Sequence, residues 1–280
     1  MTATDSDLLL MLAARRTLAA VLSAALSDPF DLRQPRAVPA IAPEALRGVW
    51  AGFEHLYQDV KQGDLGLGEL KPSKVSIEPL IDWLSMDLPT RCEVWQRVFG
   101  LVISKVCPPY ETEYCHWKDP TYRAQQLADI AGFYAAFKFE PRLRLAERQD
   151  HVAAELLFLQ LVLDRWHYAI EHRLDDAMAQ VCADAAGAFL RDHMTWWMPT
   201  FGRCLERRIE PLAMDDPDGR LAGGLRALAG VSSVLRAHMA IERLAHGLAP
   251  HSEIISPRIV VEDAGDDSCQ GCVSEVCAQP

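Results

Sequence analysis

The sequence predicts an all-α fold, one helical bundle of about 250 residues followed by a short tail, and three observations carry that prediction. Apolar residues recur at steps of three and four through long stretches, the spacing that lines one face of a helix. No strand-rich block or internal repeat interrupts them. Clusters of proline and glycine fall between the periodic stretches, where a helical chain must turn.

The longest stripe is Val152, Leu156, Leu159, Leu163, Trp166 and Ile170. Asp150 just before it is placed to cap that helix, because a carboxylate there accepts the free amides of the first turn. Upstream, Leu127, Ile130, Ala131, Tyr134 and Phe137 form a second stripe; Met178, Cys182, Ala185 and Phe189 form a third, which stops before Pro199. The segment Ala14-Arg15-Arg16-Thr17-Leu18 faintly resembles a twin-arginine export signal. Yet Leu8, Met11 and Leu12 before the arginines and Leu18, Val21, Leu22 and Leu26 after them keep one helical spacing, and no convincing cleavage site follows. An amphipathic first helix explains the segment better. No uninterrupted apolar run approaches the roughly 20 residues of a membrane span.

Between the helices, Pro29 to Pro43 holds four prolines and reads as an irregular connection, and Gly63, Gly66 and Gly68 mark a loop. Phe139 to Glu147 joins two long helices and is the hinge candidate. Residues 1–250 form the helical domain, and 251–280 an acidic, cysteine-containing tail. The tail opens on Ile254-Ile255 and Ile259-Val260-Val261, the only strand-like composition in the chain.

Half of the 280 residues are hydrophobic and 24 % are charged, a composition able to bury a core without staples. The net charge of −11 repels phosphate backbones and argues against a nucleic-acid partner, while it suits a basic peptide. With no secretory segment in view, the eight cysteines read as thiols or metal ligands and the protein as cytoplasmic. Cys92, Cys107, Cys115, Cys182 and Cys204 lie in apolar surroundings and read as small buried hydrophobes. Cys269, Cys272 and Cys277 come close together and have two readings. They grip zinc or an iron–sulfur cluster, with His251 or His246 as a fourth ligand, or they are exchangeable thiols on a tail. Nothing else in the chain requires a cofactor.

Signatures of catalysis are absent. There is no phosphate-binding loop, Gly66-Leu67-Gly68 lacks the rest of a dinucleotide fingerprint, and no nucleophile elbow is present. Glu113 and His116 have the spacing of a di-iron bundle without the second pair that chemistry needs. His167 and His172, five apart, fall on different helix faces.

Five elements between residues 95 and 205 together carry a more specific signal. They are Trp95-Gln96-Arg97-Val98-Phe99; Pro108-Pro109-Tyr110-Glu111-Thr112-Glu113-Tyr114; Leu127 to Tyr134; Glu147-Arg148-Gln149-Asp150-His151 with Glu155-Leu156 and Phe158-Leu159; and Phe189-Leu190-Arg191-Asp192-His193 with Trp196, Trp197 and Pro199. In this order they resemble the TorD/DmsD/NarJ family of redox-enzyme maturation chaperones, with its delta-subunit type for ethylbenzene and dimethyl sulfide dehydrogenases and chlorate and selenate reductases as the nearest style. Arg148 departs from the family pattern, which has Pro or Gly there.

The resemblance implies one all-α domain, not an enzyme, that works as a monomer or weak dimer. It implies binding of the apo catalytic subunit of a molybdenum oxidoreductase, including its twin-arginine signal peptide, until the molybdopterin cofactor is inserted. The client-binding candidates are Glu147, Asp150, His151, Trp95, Phe99, Tyr110, Glu111 and Trp117. Carboxylates pair a guanidinium bidentately, and aromatic side chains suit a groove for an apolar helix. Of Trp95, Phe99, Tyr110, Trp117, Trp196 and Trp197, two or three are expected to line such a groove and the others to sit in the core. Asp150→Asn and His151→Gln are expected to cost on the order of 1 kcal/mol or less in stability.

Because the helical stripes end before the tail, deleting residues 263–280 should leave the melting temperature unchanged. A large drop on truncation, measured by circular dichroism, would make the tail structural.

Overall fold

A computed structural model describes residues 3–30, 41–100, 106–115, 120–140, 148–174, 176–215, 219–253 and 257. These fold into helices α1 (Ala3–Ala25), α2 (Pro43–Leu56), α3 (Glu78–Ser85), α4 (Leu88–Phe99), α5 (Pro120–Ala136), α6 (Val152–Glu171), α7 (Asp176–Phe189), α8 (Met198–Met214) and α9 (Ala222–Ala245). No strand occurs among the described residues; Tyr110 and His151 make one isolated antiparallel bridge.

The stripe that begins at Val152 becomes the centre of the bundle. Val152 through Leu156, with Phe158 and Leu159, is buried on every side, as expected of an interior helix. Helix α1 packs along α6 and α7 packs on it as well, while α9 carries α3 and α8. The α3–α9 crossing is tight. A Cβ added at Gly230 would lie 2.1 Å from Pro79 Cβ, so glycine lets these two backbones approach. The glycine-containing loop before α3 is held by Glu69, which receives Arg243 of α9 through Nε at 2.7 Å and Nη2 at 2.8 Å. Gly68 in that loop adopts φ +88°, a backbone state suited to glycine.

Two sequence expectations change. First, Asp5–Ala25 of α1 is long and apolar enough to cross a membrane, although Arg15 and Arg16 break the uninterrupted apolar run. In this fold it is a core helix, with Leu12, Leu18, Leu22 and Ala25 buried. Second, the third stripe is shifted. Cys182, Ala186 and Phe189 form the buried line of α7, whereas Met178 is 54 % exposed, because only the C-terminal part of α7 reaches the core. The five cysteines among the described residues are outside any disulfide, with Cys107, Cys115 and Cys182 buried. The prolines at 35 and 39, the segment 141–147 of the hinge candidate and the strand-like tail residues lie outside the described residues.

The arginine pair that imitates an export signal is structural. Arg15 is 2 % exposed. Its Nε donates to both Glu242 oxygens at 3.0 Å, and its Nη2 donates to Glu242 at 2.5 Å and to His246 Nε2 at 2.7 Å. Arg16 pairs with Asp164 on α6. One arginine therefore ties α1 to α9 and the other ties it to α6. Burial opposes the charge on Glu242, but Arg15 and His238 outweigh it and hold its pKa below the ordinary value.

Removing one partner of such a pair strands a buried charge, which costs about 3–5 kcal/mol, whereas apolar replacement of both is far milder. Arg15→Met should therefore destabilise the fold strongly, and Arg15→Met with Glu242→Leu should recover most of the loss in urea titrations.

Candidate functional site

The N-terminus of α6 is where the sequence motifs meet. The segment Pro108–Tyr114 docks there through its backbone: Glu111 N donates to Asp150 O at 3.0 Å, and Val152 N donates to Pro109 O at 2.9 Å. Those two bonds fix the register of a short 3₁₀ turn, Glu111–Tyr114, against the helix. The tyrosine at its end is buried and donates to Pro108 O at 3.1 Å.

The cap differs from the sequence expectation. His151 is the N-cap: its Nδ1 accepts from Ala153 N at 3.2 Å, so the ring is neutral with its proton on Nε2. Burial pushes the His151 pKa down to about 4. Asp150 is displaced from capping because its carboxylate points at the docked turn, accepting from Thr112 N at 3.0 Å and Thr112 Oγ1 at 2.8 Å. Arg148 completes that arrangement, donating from Nε to Asp150 Oδ1 at 3.0 Å and from Nη2 to Oδ2 at 2.8 Å. Arg148 Nη1 reaches Glu113 at 2.6 Å, and Arg123 reaches the same oxygen at 2.8 Å. The Asp150 side chain is 0 % exposed, so Asp150→Asn removes a buried ion pair, a larger effect than the loss of at most about 1 kcal/mol expected from capping alone.

Behind this layer lies a second, centred on the fully buried Glu111 and His193. Glu111 accepts from Gln126 Nε2 at 2.6 Å and Trp196 Nε1 at 3.2 Å through one oxygen, and faces His193 Nδ1 at 3.3 Å through the other. His193 Nε2 meets Asp129 at 3.0 Å. Burial opposes a charge on His193, but the two carboxylates outweigh it and raise its pKa. Burial raises Glu111 to about 7 against the pull of His193 and Gln126. Glu155, raised further by burial and by the nearby Glu111 and Asp150 charges, accepts from Trp197 Nε1 at 3.2 Å. His193 and the two tryptophans are presented by a π-turn, Leu190–Met194, in which Thr195 N reaches Leu190 O at 2.9 Å.

Of the candidate client residues, Asp150, His151, Tyr110 and Glu111 come together here. Asp150, His151 and Glu111 are buried, and only Tyr110 of the four is part-exposed. Trp95 and Phe99 sit elsewhere, 6 % and 7 % exposed in the core, because the apolar side of α4 faces inward. Trp197 is also core, whereas Trp196 is half-buried. Glu147, Trp117, Cys269, Cys272 and Cys277 lie outside the described residues. Among the described residues no cluster of three or more His, Cys, Asp or Glu is arranged to hold a metal, and His246 is engaged by Arg15.

Sequence reasoning passed over Thr112, Gln126, Asp129, Glu155 and His193 as individual site residues. Four of them stood inside quoted motifs, but a motif does not show which side chains meet.

One concavity opens beside these layers and another lies farther along α6. A polar one of about 380 Å³ is lined by Gln126, Asp129, Asp192, Trp196 and His251, and so opens beside the His193–Asp129 contact. An apolar one of about 670 Å³ lies between the end of α5 and helices α6 and α7, where Tyr168, Met178 and Val181 are exposed.

Among the described residues the protein is all-helical, and its buried polar side chains converge at the N-terminus of one central helix. Residues 85–203 match the model of the nitrate reductase delta subunit family, which supports the TorD/NarJ assignment drawn from the motifs. That family is a molybdoenzyme maturation chaperone family, and it acts with molybdoenzyme catalytic subunits. No curated protein and no solved structure matches the chain.

The two shifted groups predict opposite pH effects. His151 is depressed, so its contribution to stability is complete above pH 6.5 and is lost as pH falls towards 4. Glu111 is raised, so its contribution is complete below about pH 4.5 and is lost as pH rises through 7. Each slope is at most about 1.4 kcal/mol per pH unit. His151→Asn, which still caps, should flatten the acid-side loss in thermal melts, and Glu111→Gln should flatten the loss towards neutral pH.

Proposed function

We propose that this chain is a cytoplasmic, enzyme-specific chaperone. It binds the apo catalytic subunit of a molybdenum oxidoreductase, contacts its twin-arginine signal peptide, and holds it until the molybdopterin cofactor is inserted. It performs no turnover and needs no cofactor of its own. The observation that carries this reading is the family match over residues 85–203, a span four of whose five quoted motifs close one structural unit at the N-terminus of α6.

The physical chemistry fits a peptide-binding role. The charge of −11 favours approach of a basic segment, and a partly exposed carboxylate, Glu113, stands at the surface of the motif layer beside Tyr110. The apolar concavity beside α7 offers the kind of surface an amphipathic helix uses. Within this reading the client is an enzyme of the dehydrogenase and reductase group named above, and Asp150 and His151 support the contact surface from below.

Deleting the gene in its host should leave one molybdenum oxidoreductase with its catalytic subunit present but lacking the pterin. Restoring the chain should restore cofactor content, measured on the purified subunit. Full cofactor occupancy in every molybdoenzyme of the deletion strain would refute the role.

A further inference from the structure

Arg148 sits in its surroundings as a bound ligand would. Its guanidinium donates to both oxygens of Asp150, reaches Glu113 through Nη1 at 2.6 Å and Thr112 Oγ1 through Nη2, and lies with Cζ 4.6 Å from the centre of the Tyr110 ring. A forked carboxylate contact, a second carboxylate and an aromatic face are the three elements by which proteins recognise arginine.

We propose that Asp150, Glu113 and Tyr110 form a binding site for an arginine side chain of the client peptide, and that Arg148 is its resident occupant, displaced when the client docks. The inference rests on the chaperone reading above and gives that reading a specific contact.

Three features separate this arrangement from an ordinary structural ion pair. The first is layering. The Asp150 side chain is 0 % exposed and that of Arg148 is 29 % exposed, so the guanidinium is the layer between solvent and the carboxylate. A second arginine approaching Asp150 from the solvent side of this layer meets Arg148 first. The second is that the site survives without Arg148. Asp150 keeps both donors from Thr112, and Glu113 keeps Arg123 at 2.8 Å. The third is charge balance. Asp150 and Glu113 carry two negative charges against Arg123 and Arg148, so exchanging one guanidinium for another leaves the balance unchanged. Leaving the site without a guanidinium would expose an uncompensated carboxylate, which favours exchange over vacancy.

An occupant on the same chain competes with the client. If the site is free of Arg148 about one-tenth of the time, the apparent affinity for an incoming arginine falls about tenfold, and removing Arg148 restores it. Lysine should gain nothing comparable, since an ammonium cannot bridge both Asp150 oxygens as a planar fork does.

The test uses the full chain, its Arg148→Gly variant and two fluorescein-labelled synthetic peptides. One peptide has a single adjacent arginine pair followed by an apolar helical segment, and the other has lysines in place of the arginines. Fluorescence anisotropy should show the variant binding the arginine peptide about tenfold more tightly than the unaltered protein, with no such gain for the lysine peptide. In parallel, a few millimolar guanidinium chloride should raise the melting temperature of Arg148→Gly relative to equal sodium chloride, and should not raise that of the unaltered protein. Should Arg148→Gly fail to fold, Arg148→Lys is measured in its place. It retains the charge without the fork and should show a smaller gain of the same sign.

Unchanged or weaker arginine-peptide binding in the variant, or an equal gain for lysine, overturns the proposal. If the unaltered protein still binds the arginine peptide in that case, the chaperone reading stands and Arg148 is structural. If guanidinium stabilises the variant but neither protein binds either peptide, the arginine site stands while its use for a signal peptide fails.

Discussion

The structure depends on the docking of residues 108–114 against the first turn of α6. Two backbone hydrogen bonds, from Glu111 to Asp150 and from Val152 to Pro109, hold a 3₁₀ turn where the helix would otherwise present free amides. With His151 as cap, the Asp150 carboxylate is released to bind the Thr112 amide and hydroxyl. Glu111 is carried beneath the surface, where Gln126, Trp196 and His193 close around it. Three stretches distant in sequence thereby become one unit.

Burying several acids together has a consequence for their protonation. Burial and the neighbouring carboxylates raise Glu111 and Glu155, while Glu111 and Asp129 raise His193 against its own burial. Arginine takes the outer position, where a guanidinium stays charged and spans two carboxylates at once. The same division recurs at the other end of the bundle. Arg15 compensates Glu242 there, and His238 and His246 are pushed down to about 4 by burial. Polar residues in this protein are partnered mainly across elements, so they fix which helices meet as well as how firmly.

Much of this was legible beforehand. The α6 stripe predicted the central helix because apolar residues at helical spacing must find a common face to bury. The motif order pointed to the family whose model matches residues 85–203. Two errors are instructive. Asp150 was read as a cap because aspartate is among the best capping residues, but that preference is about 1 kcal/mol and a buried ion pair outweighs it. The α7 stripe drawn through Met178 starts too early, because the helix enters the core only after that residue, and no periodicity reveals where a neighbouring helix ends.

The sequence by itself determined the helical class, the positions of the main breaks and the family likeness. Each follows from local spacing or from short strings of residues, and those are properties a chain carries unfolded. Tertiary structure decided the partners. Arg15 and Arg16, adjacent and chemically identical, diverge into a buried tie to Glu242 and an exposed one to Asp164, because successive residues on a helix face different neighbours. Arg148 acquired its role only when residues 112 and 113 were brought against residue 150. A hydrogen bond is decided by distances of about 3 Å between groups that here lie tens or hundreds of residues apart in sequence, and only the folded chain fixes those distances.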